Sequence, residues 1–165
     1  IRHAGSVGMA NFSPIVNTRG AIRVHPDGLV LRSTYHVFKL FADHMGSTAV
    51  DGFILDGETF TAGDEKLDAL DMAATAGDNG TLRVALVNRH PDAALRLDFT
   101  PRGAAFALRA ALHTVNGPDK DSYNSIECPD EVSARYRALT PENGKLTLVL
   151  EPHSVNVLVW EKEEA

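Results

Sequence analysis

Six glutamates, Glu58, Glu65, Glu127, Glu131, Glu142 and Glu151, are the side chains of this sequence best suited to covalent chemistry. Paired carboxyls act as acid and nucleophile across an acetal bond when about 5–5.5 Å apart, or as acid and base at about 6.5–9.5 Å. Each of the six falls in a turn-like stretch or at a polar strand end, the ordinary place for a solvated charge. Glu127 and Glu131 come nearest to a couple, one helical turn apart around Pro129. That proline and its polar neighbours predict an open loop, without the burial that raises a carboxyl pKa.

Metal and nucleophile chemistry have even less to stand on. The seven histidines, His3, His25, His36, His44, His90, His113 and His153, include no i,i+4 pair and no cysteine partner, so zinc-type ligand spacing is missing. Asp119-Lys120-Asp121 followed by Asn124 has the acidic density of a calcium loop. Tyr123, however, stands at a ligand position and the required glycine does not follow, so Asx-type turns account for the stretch. There is no Gly-x-Ser-x-Gly elbow and no glycine-rich phosphate loop after a strand. Cys128, beside Pro129, lacks any sign of a histidine partner and is expected to be passive and half-buried. From these residues no catalytic, cofactor-binding or metal-ligating position is assigned, and no cofactor is expected.

The elements that would position such groups are mostly strands. After Gly46 the apolar period becomes alternating, and turn signals recur at Asp51-Gly52, Asp56-Gly57, Ala62-Gly63-Asp64, Gly77 to Gly80 and Asn143-Gly144. Strands are predicted at Leu82 to Asn88, Leu95 to Phe99, Leu108 to Val115, Leu146 to Leu150 and Val155 to Trp160. Short strands at this spacing, without long helices between them, predict an all-β fold, an antiparallel β-sandwich. Leu82, Val84, Leu86, Leu97, Leu148, Val157 and Val159 are expected in one core, because a one-residue slip would turn the whole set outward. Thr34 to Met45 predicts a helix that covers the sandwich with Val37, Phe38, Leu40 and Phe41 and stops at Gly46. Before it, Val7, Met9, Ala10, Phe12, Ile15 and Val16 could line a short helix that Gly5 and Gly8 weaken and Pro14 ends. The charged tail, Glu161 to Glu164, is expected to fray.

Composition limits the partners. A chain of 165 residues, 44% hydrophobic and 23% charged, suits one globular domain with a proper core. A net charge of -6 and no cluster of Lys and Arg argue against nucleic acid. No stretch approaches the ~20 apolar residues of a membrane span. One cysteine cannot form an internal disulfide, which suits a reducing, cytoplasmic setting. The missing initiator Met suggests an upstream part of a longer parent.

Dispersed motifs add a resemblance. They run from Arg2-His3-Ala4 and Met9-Ala10-Asn11-Phe12 through Ile15-Val16-Asn17-Thr18-Arg19-Gly20 to Leu31-Arg32-Ser33-Thr34-Tyr35-His36-Val37-Phe38-Lys39-Leu40 and Met45-Gly46. Farther on come Asn88-Arg89, Asp121-Ser122-Tyr123-Asn124, Cys128-Pro129-Asp130-Glu131-Val132 and Leu150-Glu151-Pro152-His153-Ser154-Val155. In this order they resemble the C-terminal part of glycoside hydrolase family 51, the retaining α-L-arabinofuranosidases, over the whole chain. The resemblance implies a jelly-roll-like sandwich behind a catalytic (β/α)8 barrel that carries both catalytic glutamates upstream. It makes residues 1–17 a remnant of the last barrel helix, residues 18–46 a crossover with a short helix, and residues 47–165 the sandwich. The partners implied are the barrel of the same parent chain and further copies in a homo-oligomer, with neither nucleic acid nor membrane. One departure stands out: Pro14 occupies the place of a family glutamine that touches arabinose, and proline offers no such side-chain hydrogen bond.

Two other roles compete with that of a structural and assembly domain. A carbohydrate-binding module would need exposed aromatics to stack on sugar rings. Aromatics make up 7% of the chain; Trp160 is expected in the core, which leaves Tyr123 and Tyr136 in polar surroundings. A self-contained enzyme would need the carboxyl pair sought above.

Overall fold

The computed structural model describes residues 1–103 and 106–162, so the end of the charged tail, Glu163 and Glu164, lies outside the described residues. In chain order the elements are β1 (Ile22–His25), β2 (Gly28–Leu31), α1 (Ser33–His44), β3 (Thr48–Val50), β4 (Thr59–Ala62), β5 (Glu65–Asp68) and β6 (Leu70–Ala76). They continue with β7 (Leu82–Asn88), β8 (Leu95–Phe99), β9 (Phe106–Asn116), β10 (Ser133–Leu139), β11 (Leu146–Leu150) and β12 (Val155–Lys162).

Six strands form the main sheet in the order β10-β9-β12-β7-β6-β3, each neighbouring pair antiparallel. The β8–β11 pair and the β4–β5 hairpin make the facing layer. Between the layers, Val84, Leu86, Leu112, Leu158 and Trp160 of the main sheet meet Leu95, Leu146, Leu148 and Leu150, with Phe60 packed alongside. The central strands of the main sheet supply every second side chain to this core, as the pleat requires. The alternation of β11 shows it plainly: Leu146, Leu148 and Leu150 are buried, while Thr147 and Val149 are exposed. At Asn143-Gly144 both residues have positive φ, 50° and 70°, the conformation of a tight hairpin turn. The exposed edge strand β10 carries Arg135 and Arg137, charges that discourage pairing with another sheet.

The sheet is covered on both faces, and this corrects the expectation of one core. Leu82, Val84, Leu86, Leu97 and Leu148 do lie in or against the inter-sheet core. Val157 and Val159 point the other way, into a second cluster with Val115, Val132 and Leu40 beneath α1. Strand β12 reads as a nearly continuous apolar run because Leu158 and Trp160 face one layer and Val157 and Val159 the other.

Helix α1 seats Val37, Leu40 and Phe41 on the sheet, but Phe38 turns away, 52% exposed, with its ring 5.1 Å from that of Phe12. Its C-terminal stop also differs from expectation. The cap residue is Met45, in extended conformation, and Gly46 takes no positive φ. Glycine is needed there because a Cβ would run into the Ala76 carbonyl of the neighbouring strand. Residues before β1 contain a turn over residues 2–6 and otherwise no helix. Val7, Met9, Phe12, Ile15 and Val16 of this arm are all exposed, so the segment is poorly packed on the domain.

Candidate functional site

All six candidate glutamates are exposed. Glu65 lies on β5, Glu58 just before β4, Glu142 in the turn before β11, Glu151 just after β11, and Glu127 and Glu131 in the loop between β9 and β10. A glycosidic acid has to hold its proton near neutral pH, which takes a raised pKa. Glu127 and Glu151 are instead pushed below the usual carboxylate range. The Glu127 carboxyl is lowered first by a bond from its own backbone N–H and then by Ser125. Glu151 is lowered mainly by the Asn116 amide, which donates to Oε2 at 2.8 Å, with Arg135 donating to the same oxygen at 2.6 Å. Glu127 and Glu151 are thus arranged to accept hydrogen bonds, which favours their ionised form over the protonated form a general acid needs.

The histidines have local tasks. The His25 and His90 rings each accept a backbone N–H two residues on, at 3.2 and 3.1 Å. His153 Nδ1 lies 2.9 Å from Asn116 Oδ1, and His36 Nε2 lies 3.3 Å from Asn124 Nδ2. His44 and His113 stack on each other at 3.7 Å. Among the described residues no group of three or more His, Cys, Asp or Glu is placed to hold a metal ion. In the Asp119 loop, Asp119 Oδ1 accepts from the Asp121 N–H at 2.9 Å, an Asx turn. Cys128 is exposed, not half-buried as expected, because it sits in the polar loop between Asn116 and Ser133 with no sheet over it.

The network that matters most was not singled out as chemistry by residue type. Asn88, 1% exposed at the end of β7, donates from Nδ2 to the carbonyls of Ala93 (2.9 Å), Glu151 (2.8 Å) and Leu150 (3.3 Å). Its Oδ1 accepts the His90 N–H at 3.0 Å. One side chain thereby ties the main sheet to the ends of β8 and β11. Asn156 inside β12 accepts from Thr114 (2.6 Å) and donates to the Leu86 carbonyl (3.2 Å) and to Ser154 Oγ (3.0 Å). Asn124 donates to the carbonyls of Leu31 and Val132, each at 2.8 Å, and accepts the Val132 N–H at 2.7 Å, joining the β9–β10 loop to β2. Buried polar groups are kept only when paired, so these asparagines act as clasps. For Asn88 and Asn156 the signal in the sequence is an asparagine closing or within an apolar strand, as in Val155-Asn156-Val157.

Large apolar side chains are left exposed on the arm already described and in the loop after β3, where Phe53 and Leu55 are 83% and 81% exposed. Of the aromatics considered for sugar stacking, Trp160 is fully buried between Phe99 and Phe106, while Tyr123 and Tyr136 are exposed. No helix among the described residues is long and apolar enough to cross a membrane.

The chain is similar to known proteins over nearly its whole length. The family model described as the alpha-L-arabinofuranosidase C-terminal domain matches residues 1–154. A curated relative, probable alpha-L-arabinofuranosidase C of Aspergillus clavatus, is 28% identical over 99% of this chain and 32% of its own length. Alpha-L-arabinofuranosidase C of Emericella nidulans is 25% identical over 97% of this chain, again 32% of the relative. The chain thus spans 32% of the length of these relatives. Among solved structures, the alpha-L-arabinofuranosidase of Thermotoga maritima in complex with arabinose superposes with a TM-score of 0.86 at 27% identity, over 97% of this chain and 35% of that one. The GH51 arabinofuranosidase of Xanthomonas axonopodis pv. citri shares the fold, with a TM-score of 0.84 at 24% identity over 97% of this chain and 32% of that one. With residues 1–154 matched by the family model and the fold shared with these structures, the chain belongs to the alpha-L-arabinofuranosidase C-terminal domain family, as found in glycoside hydrolase family 51.

Proposed function

We propose that this chain is the non-catalytic β-sandwich of a retaining α-L-arabinofuranosidase that releases terminal arabinofuranosyl residues from arabinose-containing oligo- and polysaccharides. Its role is to brace the catalytic (β/α)8 barrel of the same parent and to contribute to a homo-oligomer. The observation that carries this reading is the apolar arm. Val7, Met9, Phe12, Ile15 and Val16 expose apolar surface that a water-facing terminus has no reason to keep, and an adjoining barrel would cover it. On this reading residues 1–17 belong to that barrel, residues 18–46 cross over, and residues 47–165 are the sandwich. The burial of Trp160 favours bracing over a carbohydrate-binding module, since only Tyr123 and Tyr136 of the candidates remain as sugar platforms. The unpaired Cys128 supports a cytoplasmic setting.

This stretch of 165 residues, purified and offered an aryl α-L-arabinofuranoside, should give no turnover above a buffer blank. Retaining hydrolysis needs one carboxyl to attack the anomeric carbon and another to protonate the leaving oxygen. Turnover abolished by Glu127→Gln or Glu131→Gln would overturn the reading and make the domain an enzyme.

A further inference from the structure

The last turn of α1 rests on the main sheet through two imidazoles. His44, the final residue of the helix, stacks on His113 of β9 with ring centroids 3.7 Å apart and planes inclined by 27°. Tyr136 of β10, directly opposite His113 in the strand register, also meets the His113 ring edge-on at 5.3 Å. Both histidines are half-buried. The contact joins positions distant in sequence and uses the same two groups that titrate most readily in weak acid.

The surroundings favour uncharged rings. From α1, Lys39 and Asp43 flank the site but are paired with each other at 2.6 Å, and Tyr35 and His36 line the same cleft. From β10, Arg135 lines it too, with its guanidinium bound to Glu151. From β7, Arg83 donates to the His44 carbonyl at 3.2 Å and to that of Met45 at 3.5 Å, placing a further cation beside the helix end. Asp43 is the one carboxylate lining the cleft, and Lys39 already occupies it. Two protonated rings in face-to-face contact would repel each other in a setting that already holds three cationic side chains.

We propose that the His44–His113 stack is a proton-operated latch, holding the C-terminal turn of α1 on the sheet while both rings are neutral and releasing it in mildly acidic solution. Burial pushes both imidazoles below the ordinary value of 6.5; for His44, Arg83 and Lys39 add to the shift against the pull of Asp43, and for His113 the His44 ring adds to it. With folded-state values below the unfolded one, the folded chain binds fewer protons than the unfolded chain. The latch therefore contributes fully above pH 6.5, and its contribution falls as the pH drops below that value. Because α1 also carries Phe38, against which Phe12 rests, release loosens the seat of the N-terminal arm.

Two measurements on the full chain decide the matter. Imidazole 15N NMR should show both rings titrating below 6.5. Hydrogen exchange of the Met45 amide, which donates to the Phe41 carbonyl at 3.0 Å, should lose protection by about ten-fold or more between pH 7.5 and 5.5 after correction for intrinsic exchange. His113→Phe keeps a flat ring without a titrating group and should hold protection constant over that range. Should this variant fail to fold, the ring titrations and the exchange profile of the unaltered chain still decide. Either ring titrating at or above 6.5, an unchanged Met45 profile, or the same loss in His113→Phe would overturn the latch.

Discussion

Replacing Asn88 by alanine removes the clasp between the two sheets while leaving its backbone bond to the Ser154 carbonyl in place. The lost side chain made two short donor bonds, to Ala93 and Glu151, a longer one to Leu150, and accepted the His90 N–H. Counting the two short donor bonds and the acceptor at about 1 kcal/mol net each gives a loss of about 3 kcal/mol. Carbonyls left dry and unpaired would push it higher. Against a typical total of about 5–15 kcal/mol this is a large fraction. With a urea slope of about 2 kcal/mol per molar, the unfolding midpoint should fall by about 1.5 M with the slope unchanged. Asn88→Asp adds a test of direction. A carboxylate facing carbonyl oxygens has its folded-state pKa raised above the unfolded ~3.9, so this variant should be weaker than Asn88→Ala at pH 7 and regain stability in acid. A loss under about 1 kcal/mol for Asn88→Ala, or an Asn88→Asp variant as stable at pH 7 as the original, would refute the clasp.

Two further substitutions probe other contacts. Gly46→Ala places a methyl group against the Ala76 carbonyl, where only backbone can yield, so thermal unfolding should show a loss of about 1–3 kcal/mol. Glu151, held below its usual pKa by Asn116 and Arg135, stabilises the fold above pH 4.5, and that contribution fades as the pH falls through its lowered value. Unfolding midpoints of Glu151→Gln measured from pH 7 to 3 should therefore decline less steeply than those of the original chain.

Several elements are legible in the chain because their information is local. The predicted strands Leu82 to Asn88, Leu95 to Phe99 and Leu146 to Leu150 coincide with β7, β8 and β11, and the helix begun at Thr34 differs from α1 by one residue at each end. In each, an apolar period matches the geometry of the element itself. The Asn143-Gly144 turn belongs with them, since its conformation is set by the two residues that form it. The family could also be read from dispersed motifs, among them Asn88-Arg89 and Leu150-Glu151-Pro152-His153-Ser154-Val155.

The remainder was decided by contacts between distant segments. Strands β4, β5 and β10 carry short or polar sequences, and β6 is Leu70-Asp71-Met72-Ala73-Ala74-Thr75-Ala76; their alternation is too weak to mark them, and they become strands by pairing with neighbours already in place. The β1–β2 hairpin inside the expected crossover is of the same kind. Nothing in Val155 to Trp160 says which face meets the second layer and which meets a helix; that follows only once α1 lies across the sheet. The partners of Asn88 and of His44 lie 63 and 69 positions away along the chain, at Glu151 and His113. A local period reports how a side chain alternates along its own backbone, whereas the partner it meets depends on how strands are ordered and layers stacked, which only the closed fold determines.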